Sequence, residues 1–333
     1  MPVGKLKPPP GAKEMLEALE EELRLVEQEI CRESVASAEV MTAIGKYLQA
    51  SGGKRLRPML VLLASKLVGD GGASAIRLAA VVEMAHMATL IHDDVIDSAQ
   101  TRRGRNAVNV KWGNHIAVLA GDWLYMQAFQ MALRERNFRI LDVLSDVTQR
   151  MVEGELLQLE WLGSTAVTEA DYMELVDRKT AGLFSGSARM GVLVAGGDED
   201  LEEKLGTYAW NLGMAFQLAD DVLDFTARAS VLGKPVGNDL MEGKLTLPLI
   251  YALEEATSEE RRRVETVLKD RSYRRVPFAR ILELLERQRG VERVRQRAQL
   301  FTDAARQLLA GFSASPHQRA LLWLTELVTH RPY

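Results

Sequence analysis

Apolar residues recur at spacings of three and four along nearly the whole chain, the period of a helix with one buried face. From Lys13 to Glu33 they fall at Leu16, Leu19, Leu23, Val26 and Ile30. The same period predicts helices over 35–50, 57–68, 73–97, 114–134, 137–161, 168–196 and 200–225. Further helices are predicted over 244–256, 258–270, 276–288, 291–311 and 316–330. No stretch alternates as a half-buried strand would, and no dinucleotide-binding glycine fingerprint occurs. The pattern predicts an all-α fold. No linker divides it, so 1–333 is expected to be one domain with a Pro-rich lead-in over 1–11. The main break, 226–243, is rich in Gly, Pro, Asp and Asn, and is expected to carry function.

Two of these helices break the one-faced pattern. In 73–97, Val81, Val82, Met84, Ala85, Met87, Leu90 and Ile91 put apolar groups on nearly every face, and 200–225 is similar. Such helices belong in the middle of a bundle. Yet each ends in carboxylates: Asp93, Asp94 and Asp97 in the first, Asp220, Asp221 and Asp224 in the second. Residues four apart share a helix face, so Asp93 pairs with Asp97 and Asp220 with Asp224. Like charges so placed are costly unless a cation neutralises them. All-oxygen carboxylate sites select hard ions, Mg²⁺ first and Mn²⁺ next. With Asp at roughly 6% of positions, about 0.07 such motifs would arise by chance in a chain this long, against the two present. Neither motif has the loop glycine and distal Glu of an EF-hand.

Composition narrows the picture further. A chain that is 47% hydrophobic and 26% charged can bury a deep core. Its net charge of −4 gives no general reason to bind nucleic acid or a membrane surface. The single cysteine, Cys31, excludes an intrachain disulfide and suits a reducing cytoplasm. The basic, Pro-rich start does not read as a signal peptide. The apolar run from Ile76 to Ile91 is interrupted by Arg77, Glu83 and His86, and is expected to fall short of a membrane span.

Carboxylate-bound Mg²⁺ usually also carries a substrate phosphate, and the chain offers cations to hold one. Gly52 and Gly53 precede Lys54, Arg55 and Arg57 at a predicted helix start, where backbone amides and cations can converge on an anion. Arg102, Arg103 and Arg105 follow the first Asp motif; Lys234 and Lys244 follow the second. The Gly243-Lys244 segment is not a Walker A loop, because its glycine spacing is wrong and Leu245 stands where Ser or Thr is needed. His86, seven residues before Asp93, shares the aspartates' face. The runs Arg261-Arg262-Arg263 and Arg274-Arg275 have no acidic motif beside them and read as surface.

From the Gly52-Gly53-Lys54-Arg55-Leu56-Arg57-Pro58 segment to Leu245-Thr246-Leu247-Pro248, with both Asp motifs between, the chain resembles the trans-isoprenyl diphosphate synthases. The resemblance implies an isoprenoid-synthase-like helical bundle around a deep central cavity. It implies three Mg²⁺ on an allylic diphosphate, held by Asp93, Asp94, Asp97, Asp220, Asp221 and Asp224. Lys54, Arg57, His86 and Arg103 match the isopentenyl diphosphate site. Arg102, Lys179, Gln217, Lys234 and Lys244 match the allylic-diphosphate contacts, with Thr180 beside Lys179. The chemistry implied is ionisation of the allylic diphosphate, farnesyl diphosphate being the expected primer, followed by attack of isopentenyl diphosphate. Lys179, Thr180, Gln217, Asp93 and Asp220 are the expected catalytic residues.

The growing tail is expected to run along the first core helix, away from Asp93. Upstream lie Thr89, Ala88 and Ala85, at about 6, about 7.5 and about 12 Å by helical rise. Bulky residues there block the cavity in short-chain members of the family. Small ones here imply a product of about six to eight isoprene units, with seven favoured, for a quinone side chain. Trp123, Met126 and Met131 are candidates for the cavity floor. Glu83 to Leu90, Lys111-Trp112-Gly113-Asn114 and His330-Arg331-Pro332-Tyr333 are similar to the catalytic component of two-component heptaprenyl diphosphate synthases. The expected assembly is a homodimer, or a heterodimer with a small regulatory subunit, whose product passes to a membrane. Two alternative readings fit the residues less well. A class I terpene cyclase would carry a different second metal motif and more than 6% aromatics, and a non-catalytic partner subunit would have lost aspartates.

Overall fold

Helices form where the three-and-four spacing predicts them. The computed structural model describes residues 13–50, 52–226 and 236–329. In chain order the helices are α1 (Lys13–Glu33), α2 (Glu39–Gln49), α3 (Leu56–Val68) and α4 (Gly72–Ile96). A hairpin follows, β1 (Thr101–Arg102) with β2 (Arg105–Asn106), then α5 (Val108–Trp112), α6 (Asn114–Leu133), α7 (Phe138–Trp161) and α8 (Glu169–Val176). A π-turn (Asp177–Ala181) leads into α9 (Gly182–Val194) and α10 (Glu199–Thr226). The rest is α11 (Asn238–Met241), α12 (Leu247–Glu254), α13 (Ser258–Asp270), α14 (Phe278–Arg287), α15 (Gly290–Leu309) and α16 (Pro316–Thr329). The fold is all-α.

Three local expectations change. The helix expected over 168–196 is interrupted by the π-turn, whose own five residues include no glycine or proline. The helix expected from residue 35 starts at Glu39, because the Ser34 hydroxyl bonds back to the Ile30 carbonyl and the chain turns there. Residues 101–106 form a two-residue hairpin whose central residues, Arg103 (φ 53°) and Gly104 (φ 74°), both take left-handed backbone, the geometry of a type I′ turn.

Contacts group the chain into two compact units, each discontinuous in sequence. One takes Met1–Thr148, Leu183–Ala209 and Gln307–Leu324; the other takes Gln149–Gly182, Trp210–Arg306 and Thr325–Tyr333. In the first, α4 packs against α1, α3 and α6. Small buried residues on α6, Ala117, Ala120, Gly121 and Ala128, let it lie close to α4. A Cβ on Gly121 would fall 2.2 Å from His92 Nε2. By length and composition α4 does qualify as a membrane span, contrary to the sequence expectation, since its charges are too few to disqualify it. Most of its apolar stretch, 67%, is instead buried in the fold, as a core helix requires.

The second unit has its own core. Leu218, Val222 and Phe225 of α10 join Leu247 and Leu249 of α12, Val264 and Val267 of α13, and Ile281 and Leu284 of α14. Each fully buried Leu or Ile contributes about 1.5–3 kcal/mol. The arginine runs are absorbed locally: Arg261 donates to the Leu253 carbonyl, Arg263 pairs with Glu259, and Arg275 pairs with Asp270. They read as structural surface, as expected.

Candidate active site

The last turn of α4 separates its aspartates by face. Asp93 and Asp97 are half-buried, whereas Asp94, about 100° further round the helix, is only 2% exposed. Asp94 accepts from Arg102 Nε at 2.6 Å, and its backbone carbonyl accepts from Asn109 Nδ2 at 3.0 Å. It thus ties the hairpin and α5 to the end of α4. Burial pushes its carboxyl upward, and Arg102 pulls it back.

The basic loop before α3 is built around Arg55, whose backbone is left-handed (φ 50°). Its buried guanidinium donates to Glu27 and to Glu83, which lies on α4 and is itself buried. A Cβ on Gly53 would lie 2.9 Å from Arg103 Nη1, so glycine lets the loop backbone press against that guanidinium. Arg57 stacks 4.8 Å from the centre of the Phe184 ring. His86 lies within reach of the same charges: burial, then Arg57, Arg103, Arg102 and Arg55, hold its pKa well below 6.5. The structure thus gathers Arg57, His86 and Arg103 around one loop, with Lys54 half-buried in it.

The His86 shift has a consequence for stability. The unfolded chain takes up a proton on this histidine near pH 6.5 and the folded one resists, so this contribution is present above that pH and lost as pH falls below it. Urea denaturation at several pH values should show the loss, and His86→Gln should remove that part of the acid-side slope.

In the second unit the π-turn carries Lys179 and Thr180. Asp177 anchors it, accepting from Trp210 Nε1 at 2.6 Å and from Arg150. The wider turn re-aims the side chains that follow, as π-turns commonly do at functional sites. Lys179 Nζ reaches Gln158 Oε1 at 3.3 Å and pairs with Glu155. Gly154 permits the approach, since a Cβ there would lie 3.2 Å from the Lys179 backbone nitrogen. The Thr180 hydroxyl donates to Gln217 Oε1 at 3.0 Å, and Gln217 Nε2 donates to Asp221 Oδ1 at 2.9 Å.

The second Asp motif also separates its aspartates by burial, but Asp224, expected to pair with Asp220 on one face, is buried where its counterpart Asp97 is not. Asp220 is half-buried; Asp221 and Asp224 are 2% and 1% exposed. Asp221 also accepts from the Tyr172 hydroxyl. Burial and Asp239 push the Asp221 carboxyl up, and the Tyr172 and Gln217 donors oppose them. Asp224 Oδ2 accepts the Asp239 backbone N–H at 3.2 Å, and its carbonyl accepts that of Gly237 at 2.8 Å, which fixes the turn leading to α11. Lys244 Nζ lies 2.8 Å from Glu242 Oε2. Gln158, Lys179, Thr180, Gln217, Asp221 and Lys244 line one cavity, with Trp161, Leu175 and Leu245 on its apolar wall.

Lys234 and the tail His330–Tyr333 lie outside the described residues. Ala85, Ala88 and Met131 are fully buried, Thr89 and Trp123 half-buried. Met126 is 59% exposed, on a stripe with Leu119 and Leu133 at seven-residue spacing, which does not suit a cavity floor. Sequence reasoning missed Glu83, Glu155, Gln158, Tyr172 and Asp239, whose partners are distant in sequence. Only for Tyr172 was there a local signal: the capping box of Thr168 and Asp171 marks the start of the helix that presents it.

The donor set fits a hard divalent ion, being all oxygen. Among the described residues no three His, Cys, Asp or Glu side chains converge as a ready-made metal site. Each motif therefore offers an ion carboxylates from one side, and an octahedral shell needs water and phosphate oxygens to complete it.

A family model described as polyprenyl synthetase matches residues 38–285. The octaprenyl diphosphate synthase of Escherichia coli is 37% identical over 296 residues, covering 89% of this chain and 91% of that protein. Polyprenyl synthase from Caulobacter crescentus, complexed with calcium and isoprenyl diphosphate, superposes with a TM-score of 0.91 at 34% identity, over 97% of this chain and 98% of that one. Heptaprenyl diphosphate synthase from Staphylococcus aureus does so with a TM-score of 0.88 at 29% identity, over 94% and 98%.

Proposed function

We propose, since the chain belongs to the polyprenyl synthetase family and is thus a prenyltransferase, that it condenses isopentenyl diphosphate with an allylic diphosphate into a long-chain all-trans polyprenyl diphosphate. The observation that carries this reading is that burial divides the aspartates within each Asp motif. In each, one or two half-buried aspartates stand beside buried ones that anchor a catalytic-type partner, Arg102 in the first and Gln217 in the second.

Asp93, Asp97 and Asp220 are proposed as the metal ligands, for about three Mg²⁺ as in the resemblance, with Mn²⁺ as the substitute. Mg²⁺ bound there would neutralise charge on the departing diphosphate. Asp94, Asp221 and Asp224 act instead by holding Arg102, Gln217 and the 237–239 turn. Arg102, Lys179, Lys234 and Lys244 bind the allylic diphosphate, and Lys54, Arg57, His86 and Arg103 bind isopentenyl diphosphate. A neutral His86 donates one N–H to phosphate without adding charge. The allylic C–O bond breaks with its electron pair leaving on diphosphate, and Thr180 and Gln217 oxygens face the resulting cation. The isopentenyl double bond then forms the new C–C bond, and a proton passes to the released diphosphate. Preorganised charge and positioning supply the rate.

The chain is proposed to work as one cytoplasmic catalytic domain, primed by farnesyl diphosphate, whose product passes to a membrane for a quinone side chain. Ala85, Ala88 and Thr89 set a length of about six to eight isoprene units, a reading that rests on helical rise from Asp93. Ala88→Phe should shorten the product by one unit or more, read by mass spectrometry. The same length from a folded Ala88→Phe enzyme sinks the ruler. The partner is proposed to be a second copy of this chain, because Leu119, Met126 and Leu133 form an exposed apolar stripe along α6. Adding charge with Leu119→Glu and Met126→Glu should convert a dimer to a monomer in sedimentation. The overall reading is tested by incubating the purified chain with Mg²⁺, farnesyl diphosphate and isopentenyl diphosphate and measuring product mass. A C30–C40 diphosphate supports it, and no condensation, with or without a candidate small subunit shown to bind, refutes it.

A further inference from the structure

Tyr172 has no role in the chemistry described above, yet it is buried and touches the second Asp motif. Its hydroxyl takes one oxygen of Asp221, and Gln217 Nε2 takes the other at 2.9 Å. The remaining end of the Gln217 amide, Oε1, accepts from Thr180 Oγ1 at 3.0 Å. All four side chains line the same cavity. A primary amide has two nearly isosteric ends of opposite polarity, so its orientation is set by its neighbours. With Asp221 held as an acceptor by Tyr172 on one side, and Thr180 donating on the other, only one orientation satisfies every group. It puts oxygen, not NH₂, next to Thr180.

We infer that Tyr172 is a positioning residue: through Asp221 it fixes the Gln217 amide so that two oxygens, Gln217 Oε1 and Thr180 Oγ1, face the allylic cation. The inference deepens the proposed function and rests on it. An amide turned the other way would place two N–H donors against a developing positive charge, which opposes ionisation. The local sequence serves the same end. The capping box of Thr168 and Asp171 fixes the first turn of α8, where Tyr172 sits, and the π-turn that follows brings Thr180 round to Gln217.

The test is a double-mutant cycle on the full-length enzyme, using single-turnover condensation of farnesyl and isopentenyl diphosphates with saturating Mg²⁺. Tyr172→Phe should lower the rate about 10- to 100-fold, the scale of one hydrogen bond to a charged group. The KM for isopentenyl diphosphate should change less than about twofold, because none of its proposed ligands is touched. In a Gln217→Leu background, where no amide remains to be oriented, the same substitution should cost less than about threefold. An equal loss in both backgrounds would mean that Tyr172 is merely structural and would overturn the inference; so would an unchanged rate in Tyr172→Phe. If Tyr172→Phe does not fold, Asp221→Leu removes the acceptor that holds the amide while leaving both cation-facing oxygens in place, and must show the same non-additivity with Gln217→Leu. A wild-type chain that condenses nothing overturns the proposed function itself, whereas an active wild type with additive variants overturns only the role of Tyr172.

Discussion

Asp93→Asn should lower kcat about 10³-fold, roughly 4 kcal/mol of transition-state stabilisation, without lowering the melting temperature. The two halves of this expectation come from the same carboxylate. Asp93 is half-buried one turn from Asp97, and like charges at that spacing on a helix cost stability. Removing one charge relieves that repulsion, so stability holds or rises. Catalysis suffers because the ion that would balance the leaving diphosphate loses a ligand. Asp94→Asn should behave differently, although it is the next residue. Asp94 is buried and holds Arg102 Nε at 2.6 Å. That variant should lower the melting temperature and weaken binding of the allylic diphosphate. Parallel thermal melts and steady-state kinetics on both variants check the contrast; indistinguishable profiles would remove the basis for separating their roles.

The second large effect is expected at Glu83, which the sequence does not single out as a site residue. Glu83 and Arg55 form a pair with side chains only 4% and 9% exposed. Removing Glu83 leaves the buried Arg55 charge to the more exposed Glu27 alone, at a cost approaching that of an uncompensated buried charge, about 3–5 kcal/mol. That is a large share of the roughly 5–15 kcal/mol that holds a typical domain together. Glu83→Gln should therefore lower stability by about that amount in chemical denaturation. It should also raise the KM for isopentenyl diphosphate roughly tenfold, since Arg55 fixes the loop on which Lys54 and Arg57 sit. Glu27, the other partner of Arg55, has a side chain 36% exposed and gives a control: Glu27→Gln should cost no more than about 1 kcal/mol. Equal losses at the two positions would contradict the buried-pair account.

These contrasts show how far the residue pattern reaches. The three-and-four period made the all-α fold legible, and aspartates ending apolar helices made a site for a hard metal ion legible, because both signals are local. The reaction class came through the family resemblance. Which aspartate does what was not legible. The burial of Asp94, Asp221 and Asp224 depends on Arg102, Tyr172 and the 237–239 turn, and the pairing of Tyr172 with Asp221 spans 49 positions. The π-turn was hidden for the same reason: Asp177 is held by Trp210 and Arg150, and nothing in 177–181 itself breaks a helix. Met126 misled because exposed and buried stripes of α6 are both apolar, so periodicity could not tell the core face from the stripe shared with Leu119 and Leu133. Small residues at Ala85 and Ala88 carry a similar ambiguity, since close packing of α4 on α6 also calls for them.

The central claim is that each Asp motif divides into ligands that hold metal and anchors that hold protein. Anomalous scattering from a crystal grown with Mn²⁺ and an unreactive allylic diphosphate analogue tests it most directly. Manganese peaks should be bonded to carboxylate oxygens of Asp93, Asp97 and Asp220, with Asp94 still on Arg102 and Asp221 still on Tyr172 and Gln217. Manganese bonded to Asp221 or Asp224, with those hydrogen bonds broken, would contradict it.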